Sequence, residues 1–162
     1  MNYHNITVDD MKNGDGLRTV LWVSGCGHRC RGCQNPQTWP ENSGIPFDQA
    51  AHDELFEALS RDYMTGVTFS GGDPLHCTNI DTVGKLILEI HEKLPGKTIW
   101  LYTGSLFEEI CSLPFVPMID VIVDGPYIQE LRDTQLHWKG SKNQRVIDVK
   151  RTLSEGRIVL WA

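Results

Sequence analysis

The sequence predicts an α/β protein built on a parallel sheet, and three observations lead there. Short apolar segments alternate with helical patterns in the order strand, helix, strand, helix, strand, helix, strand. Each of the four strands runs into a Gly-rich or polar stretch: Ser24-Gly25-Cys26, Ser70-Gly71-Gly72-Asp73, Tyr102-Thr103-Gly104 and Val123-Asp124-Gly125. In a parallel sheet those ends share one edge, where ligands bind. The chain has 162 residues, whereas a closed eight-fold β/α barrel takes about 250. The expectation is therefore a parallel-stranded partial (open) β/α barrel, an incomplete TIM-like fold, in a single domain over residues 1–162.

The elements run in order along the chain. Residues 19–23, Thr-Val-Leu-Trp-Val, form the strongest strand, a near-continuous apolar run. The next twenty or so residues, from Cys26 to about Pro46, read as a long loop rich in Gly, Pro and Asn. A loop of that length in a compact domain is usually functional or disordered, and the three cysteines in it favour function. Residues 48–62 read as a helix with Asp48 as N-cap and Ala51, Leu55, Ala58 and Leu59 on one stripe. Residues 66–69 are a short strand. Residues 79–94 form a second helix, with Val83, Leu86, Ile87 and Ile90 inward and Pro95-Gly96 as its stop. Residues 98–102 are the third strand. Ser105 and Glu108 have capping-box spacing for a short helix through Ile110. Residues 119–123 are the fourth strand. Residues 135–148 read as a loop plus one strand, and 157–161 as a last strand.

Composition excludes several classes. Hydrophobic residues are 40% and charged residues 22%, which rules out a wholly disordered chain. Fifteen lysines and arginines stand against 21 aspartates and glutamates, a net charge of −6. That balance argues against nucleic acid as a partner. No apolar run nears the roughly 20 residues that span a bilayer. The polar start Met1-Asn2-Tyr3-His4-Asn5 lacks the features of a signal peptide, so the expected location is cytoplasmic.

Three of the five cysteines crowd into Cys26-Gly27-His28-Arg29-Cys30-Arg31-Gly32-Cys33. In a reducing compartment such a cluster binds metal more often than it forms disulfides. Three thiolates at Cys-x3-Cys-x2-Cys spacing suit an iron–sulfur cluster. With three protein ligands, a four-iron cubane keeps one iron open to a substrate or cofactor. Structural zinc is the alternative; it wants four ligands, the fourth from His28, His76, Cys77 or Cys111. Zinc sites more often use two Cys-x-x-Cys knuckles, and only Cys30–Cys33 qualifies. His28 reads as a neighbour of the site rather than a ligand, and Cys77 and Cys111 as ordinary thiols.

This cysteine motif directly after a strand resembles the radical S-adenosylmethionine superfamily. Ser70-Gly71-Gly72-Asp73-Pro74 after the next strand resembles that superfamily's Gly-Gly-Glu motif, with aspartate for glutamate. More narrowly, the chain is similar to the glycyl-radical activating enzymes that serve anaerobic ribonucleoside-triphosphate reductase. The similarity runs through Asn13-Gly14-Asp15-Gly16-Leu17-Arg18, Gly25 to Asn35 and Trp39, and Thr68 to Leu75. It continues through Trp100 to Gly104, Asp120 to Gly125 and Trp138 to Arg145, and so covers most of the chain.

The resemblance implies a 4Fe–4S cluster on Cys26, Cys30 and Cys33. The open iron would take the amino and carboxylate groups of S-adenosyl-L-methionine. A 5′-deoxyadenosyl radical would then remove a hydrogen from a glycine of the reductase. Gly71 and Gly72 would admit the methionine end, and Asp73 would accept from its ammonium group. Thr103 and Asp124 would contact the sulfonium or ribose. Many superfamily members carry an aromatic residue where this chain has Gly32, so the resemblance places adenine contacts elsewhere. Ser141, Asn143, Gln144 and Arg145 match the family pattern without a firm role.

The open face of a partial barrel would dock the reductase's glycine loop. Arg18, Arg29 and Arg31 would form a basic patch near the cluster for an acidic one-electron donor such as a flavodoxin. Two other readings stand beside this one. The chain is another small radical enzyme, serving a different glycyl-radical enzyme or a small molecule. Or it is a zinc-stabilised interaction module without catalysis.

Overall fold

The computed structural model describes residues 1–162. One open seven-stranded mixed sheet organises the chain, in the order β3-β1-β2-β4-β5-β6-β7. Its centre is parallel: β2 (Arg18–Val23), β4 (Gly66–Gly71), β5 (Thr98–Tyr102) and β6 (Val121–Asp124). These are the four strands expected from the sequence. The all-parallel expectation is corrected at both edges. The strands β1 (Asn2–Asp10), β3 (Ile45–Pro46) and β7 (Arg145–Asp148) all pair antiparallel.

The first edge was hidden for a physical reason. β1 is Asn-Tyr-His-Asn-Ile-Thr-Val-Asp-Asp, and only Tyr3 and Ile6 are buried. Register shifts against β2 fall between Tyr3 and Asn5 and between Thr7 and Asp10. Such irregularities break the alternation by which a strand is read.

Helix α1 (Gln49–Leu59) is capped by Asp48, whose carboxylate accepts from the Ala51 amide at 3.0 Å. Helix α2 (Ile80–Lys93) ends before Pro95. Helix α3 (Phe107–Ile110) starts one residue later than the capping-box spacing implied. Glu109, not Glu108, turns back to accept from the Leu106 amide at 2.7 Å. Helix α4 (Val149–Glu155) was not expected; Asp148 caps it and Gly156 closes it at φ 66°. Residues 157–161 contribute a single bridge, Leu160 to Ile147, rather than the expected strand. None of the helices is long and apolar enough to cross a membrane.

Side chains alternate across the sheet and give it two unlike faces. Leu21, Val23, Val67, Phe69, Ile99, Leu101, Ile122 and Ile147 join the main core with residues of all four helices. The opposite face carries Arg18, Val20, Trp22, Thr68, Ser70, Trp100, Tyr102, Val121 and Val123, aligned by the strand registers. There Trp100, Val121, Val123 and Val146 pack with Tyr102, Trp138 and Trp161. No helix contributes to that cluster.

Arg18 anchors the start of this second face and is fully buried. Its guanidinium donates to Thr68 Oγ1 (2.7 Å), Thr98 Oγ1 (2.9 Å), and the carbonyls of Val67 (2.6 Å), Asp15 (2.9 Å) and Thr98 (3.0 Å). It also lies 5.3 Å from the Trp100 ring centroid. Burial pushes its pKa down to about 10, so it stays charged at neutral pH. Five neutral acceptors hold the cation because Arg presents a fixed fork of donors. It sits where β2, β4 and β5 begin, opposite to the cysteine loop. That corrects its expected place in a basic patch with Arg29 and Arg31, which are exposed.

Replacing Arg18 with Ala leaves several buried acceptors unpaired. The expected loss is about 3 kcal/mol or more, read as a lower urea midpoint. Arg18→Lys should not restore it, because one ammonium cannot reach all five acceptors. A midpoint within experimental error of the parent would contradict this role.

Candidate metal and cofactor site

The cysteine loop leaves β2 at Ser24 and is fastened by its own returning arm. The Gly25 amide donates to the Thr38 carbonyl (2.7 Å) and the Cys26 amide to that of Trp39 (3.1 Å). Between these arms the chain turns back twice through left-handed residues, Arg29 at φ 48° and Gly32 at φ 74°. The Cys33 amide closes a turn onto the Cys30 carbonyl (3.1 Å), and the Asn35 amide donates to Cys33 Sγ (3.3 Å). All three thiols are free and partly exposed. Burial pushes the Cys26 thiol up, partly offset by the His28 and Arg29 amides. A metal centre reverses that preference by binding the thiolate.

Cys26, Cys30 and Cys33 open onto a cavity of about 510 Å³. Gly71, Gly72, Asp73 and Thr103 line the same cavity, so the loops after β2, β4 and β5 meet there as the sequence predicted. Trp22, Tyr102, Trp138 and Gln144 complete its wall. A larger hollow of about 680 Å³ adjoins it around Met11, Leu136 and Trp138 but contains none of the thiols. The chemistry therefore lies with the smaller one.

Asp73 ties these loops together. It is 3% exposed. Its Oδ2 accepts from His28 Nε2 (2.7 Å), Thr103 Oγ1 (3.0 Å) and the Gly104 amide (3.2 Å). Its Oδ1 accepts from the Leu75 amide (2.8 Å). The Asp73 bond raises the His28 pKa. The His28 ring packs on Gly104, where a Cβ would lie 2.5 Å from the ring. Glycine is needed at residue 72 for a like reason. Its amide donates to the Val23 carbonyl (2.8 Å), and a Cβ would overlap the Gly25 carbonyl. Gly71 sits at φ 104° against β2. Both glycines admit protein backbone to the turn as well as facing the cavity.

Asp124 has a different task from the expected ribose or sulfonium contact. It shares the helix-side parity of Ile122 and does not line the cavity. The fully buried carboxylate is taken up by Arg145, whose Nε donates at 3.0 Å, and by the Phe107 amide at 2.8 Å. Arg145 also forks onto Glu108 (3.0 and 2.7 Å) and holds that carboxyl down at about 2. Gln144 does reach the cavity, and its Oε1 accepts from the Gly140 and Ser141 amides. Trp22 and Tyr102 were missed as lining residues. Their signal was strand parity, since both share a face with Ser70.

The donor set fits an iron–sulfur cluster: three soft thiolates on one loop beside a cavity. Zinc would sit about 2.3 Å from each sulfur, so its ligands would crowd within roughly 4 Å of one another. The side chains that do converge within 4.8 Å are Glu41, His76 and Cys77, not the three loop cysteines.

The comparisons with known proteins agree. Residues 12–147 match the family described as "4Fe-4S single cluster domain". The chain is 44% identical over 150 residues to the anaerobic ribonucleoside-triphosphate reductase-activating protein of Escherichia coli strain K12, covering 90% of this chain and 97% of that one. The protein of that name from Enterobacteria phage T4 is 42% identical over 146 residues, covering 90% and 93%. That from Vibrio cholerae is 42% identical over 148 residues, covering 89% and 96%. Fold and site thus define a single-cluster 4Fe–4S domain on an open α/β sheet. Within that class, the chain belongs to the family of anaerobic ribonucleoside-triphosphate reductase-activating proteins.

Arg145→Ala strands a buried carboxylate with one backbone donor. It should cost about 3 kcal/mol in chemical denaturation, whereas Glu108→Gln, at the exposed end, should cost under about 1. Because the Glu108 carboxyl is depressed from 4.5 to about 2, its share of stability is present above about pH 4.5 and fades as pH falls toward 2. Glu108→Gln should remove that acid limb from the stability profile. Equal costs for the two variants would contradict the assignment.

Proposed function

We propose that this chain is an activating enzyme that installs a glycyl radical on anaerobic ribonucleoside-triphosphate reductase. The observation that carries the reading is one cavity shared by the Cys26, Cys30 and Cys33 thiols and the Gly71-Gly72-Asp73 turn, in a chain whose relatives bear that name. In this reading Cys26, Cys30 and Cys33 hold a 4Fe–4S cluster and leave one iron free for S-adenosyl-L-methionine. Bound together, the two cofactors would supply the one-electron chemistry that removes a hydrogen atom from a glycine of the partner.

The chain's own residues bind and orient. Gly71 and Gly72 offer backbone without side chains beside the thiols. Asp73 holds the floor of the cavity and presents negative charge toward the cofactor's ammonium group. Thr103 keeps the Asp73 carboxylate in place. Asp124 acts at one remove, by fixing Arg145 and the start of α3. Trp22, Tyr102 and Trp138 give the cavity an aromatic wall suited to an adenine ring, a role for which Gly32 has no side chain.

The sheet works here as a partial barrel, a single domain whose helix-free face is left open. A protein loop needs such an opening, while a small substrate is better served by an enclosed pocket. Arg29 and Arg31, exposed beside the cluster loop, steer an acidic one-electron donor such as a flavodoxin in the cytoplasm.

The test is an anaerobic mixture of the iron-loaded, reduced chain with the reductase and S-adenosylmethionine. A glycyl-radical signal should appear in electron paramagnetic resonance and fall at least a hundredfold in Cys26→Ala, Cys30→Ala or Cys33→Ala. Neutralising Arg29 and Arg31 should slow reduction by flavodoxin and flatten its salt dependence. A full radical yield from any cysteine variant would sink the reading. So would no radical from wild-type protein holding four irons.

A further inference from the structure

A second group of metal-ligating side chains lies outside the thiol loop and plays no part in the function above. Glu41 comes from the long loop after β2, and His76 and Cys77 from the turn between β4 and α2. One oxygen of Glu41, one ring nitrogen of His76 and the Cys77 sulfur all lie within 4.8 Å of one another. Glu41 Oε1 stands 3.4 Å from His76 Nε2, and Cys77 Sγ stands 3.8 Å from His76 Nδ1. Ligands at about 2.0–2.3 Å around a tetrahedral ion are separated by roughly 3.3–3.8 Å. The two contacts fall on different ring nitrogens, so an ion held by Nε2 and Glu41 needs the Cys77 side chain to rotate toward it. With one ligand atom of each residue within 4.8 Å of the others, the trio lies within about 1 Å of the spacing one small cation imposes.

We propose that Glu41, His76 and Cys77 form a second metal site, for a borderline-soft divalent cation of the zinc type. The mixed oxygen, nitrogen and sulfur set selects this class over magnesium or calcium, which take oxygen ligands. Thiolate and carboxylate give the site two negative charges, and the only ion-pair partner of Glu41 is His76. Thr78 Oγ1, 3.0 Å from His76 Nδ1, can orient the ring as the supporting partner that metal-bound histidines have. The His76 side chain is 15% exposed while Glu41 and Cys77 are exposed. The ring is thus already held in place, and the ion has an entry path and room for water as a fourth ligand.

The position gives the ion a mechanical role. Glu41 and the thiols share one loop; His76 and Cys77 come directly after the turn that carries Asp73. His76 packs toward Gly25, where a Cβ would lie 3.2 Å from its ring. Beside it, Asn79 Nδ2 donates to the Ser24 carbonyl (2.7 Å) and the Asp73 carbonyl (2.9 Å), joining loop and turn. An ion on this trio adds a clip between the same two segments, at the side of the cavity floor.

The test uses the iron-loaded protein under anaerobic conditions. The protein is equilibrated with zinc, desalted, and measured for zinc and iron together, with affinity read by competition against a chromophoric chelator. One zinc per chain should be retained with iron unchanged. Cys77→Ser and His76→Gln should each weaken zinc binding at least tenfold, and Glu41→Gln by less. Cys111→Ser, which alters an exposed thiol elsewhere, should leave it unchanged. Cys77 and Glu41 are exposed, so their variants should fold as the parent does. No zinc retained would overturn the proposal, as would equal retention by Cys77→Ser. Zinc gained only as iron is lost would assign the ion to the cluster cysteines and overturn it equally.

Discussion

The arrangement of the site depends on one buried carboxylate. Asp73 Oδ2 accepts from His28, Thr103 and the Gly104 amide, three donors drawn from the segments after β2 and β5. Each such bond to a charged group contributes about 1.5–3 kcal/mol when its partners are desolvated. Three loops that would otherwise move independently at the edge of the sheet are thereby joined at a single atom. The carboxylate itself is held by its turn, through the Leu75 amide on Oδ1 and the Asp73 amide on the Gly25 carbonyl (2.8 Å). An aspartate at this place has the shorter reach of the two acidic residues, so it holds the turn close to the cysteine loop.

Around that knot the sheet divides labour between its faces. The helix-covered face supplies the main hydrophobic core, and the other carries an aromatic cluster, the buried Arg18 and the cavity. Arg18 secures the beginnings of β2, β4 and β5, while Asp73 secures the loops beyond their ends. A rigid pair of neighbouring strands is a good platform for cofactor chemistry, because the thiol loop inherits its position from β2 and the glycine turn from β4. Asp124 shows the same logic in reverse. It sits at a strand end, but its parity sends it to the helix face, where it fixes Arg145 and α3.

Much of this was legible in the sequence, and the exceptions have physical causes. Apolar runs marked β2, β5 and β6 because both faces of a central parallel strand are largely buried, while β4, with Thr68 and Ser70 on its second face, was marked by the Gly-rich turn that follows it. The cysteine spacing and the Gly71-Gly72-Asp73 turn marked the site because few other uses demand those residues together. The strand β1 was hidden by its irregular register and polar composition, whereas β7 falls inside the 135–148 segment expected to hold a strand, and only its antiparallel pairing had no signal. The place of Asp124 at a strand end does not by itself bring it to the cavity, because its parity with Ile122 turns it to the helix face. Nearness in sequence to the cysteines is not nearness in space for Arg18, which opens the six-residue strand whose far end leads into the cysteine loop. Nothing local announced that His28 and Asp73, 45 residues apart, would meet. The meeting of Glu41 with His76 and Cys77 was equally silent, since loops and turns carry no periodicity.

The central claim is that the thiol loop and the Asp73 turn together form one centre with an iron open to S-adenosylmethionine. Its most direct test is electron paramagnetic resonance of the anaerobically loaded, dithionite-reduced protein, with and without S-adenosylmethionine. The account predicts a reduced-cluster signal that changes shape when S-adenosylmethionine is added. Protein that carries zinc but no iron, or a cluster signal that S-adenosylmethionine leaves unaltered, would contradict it.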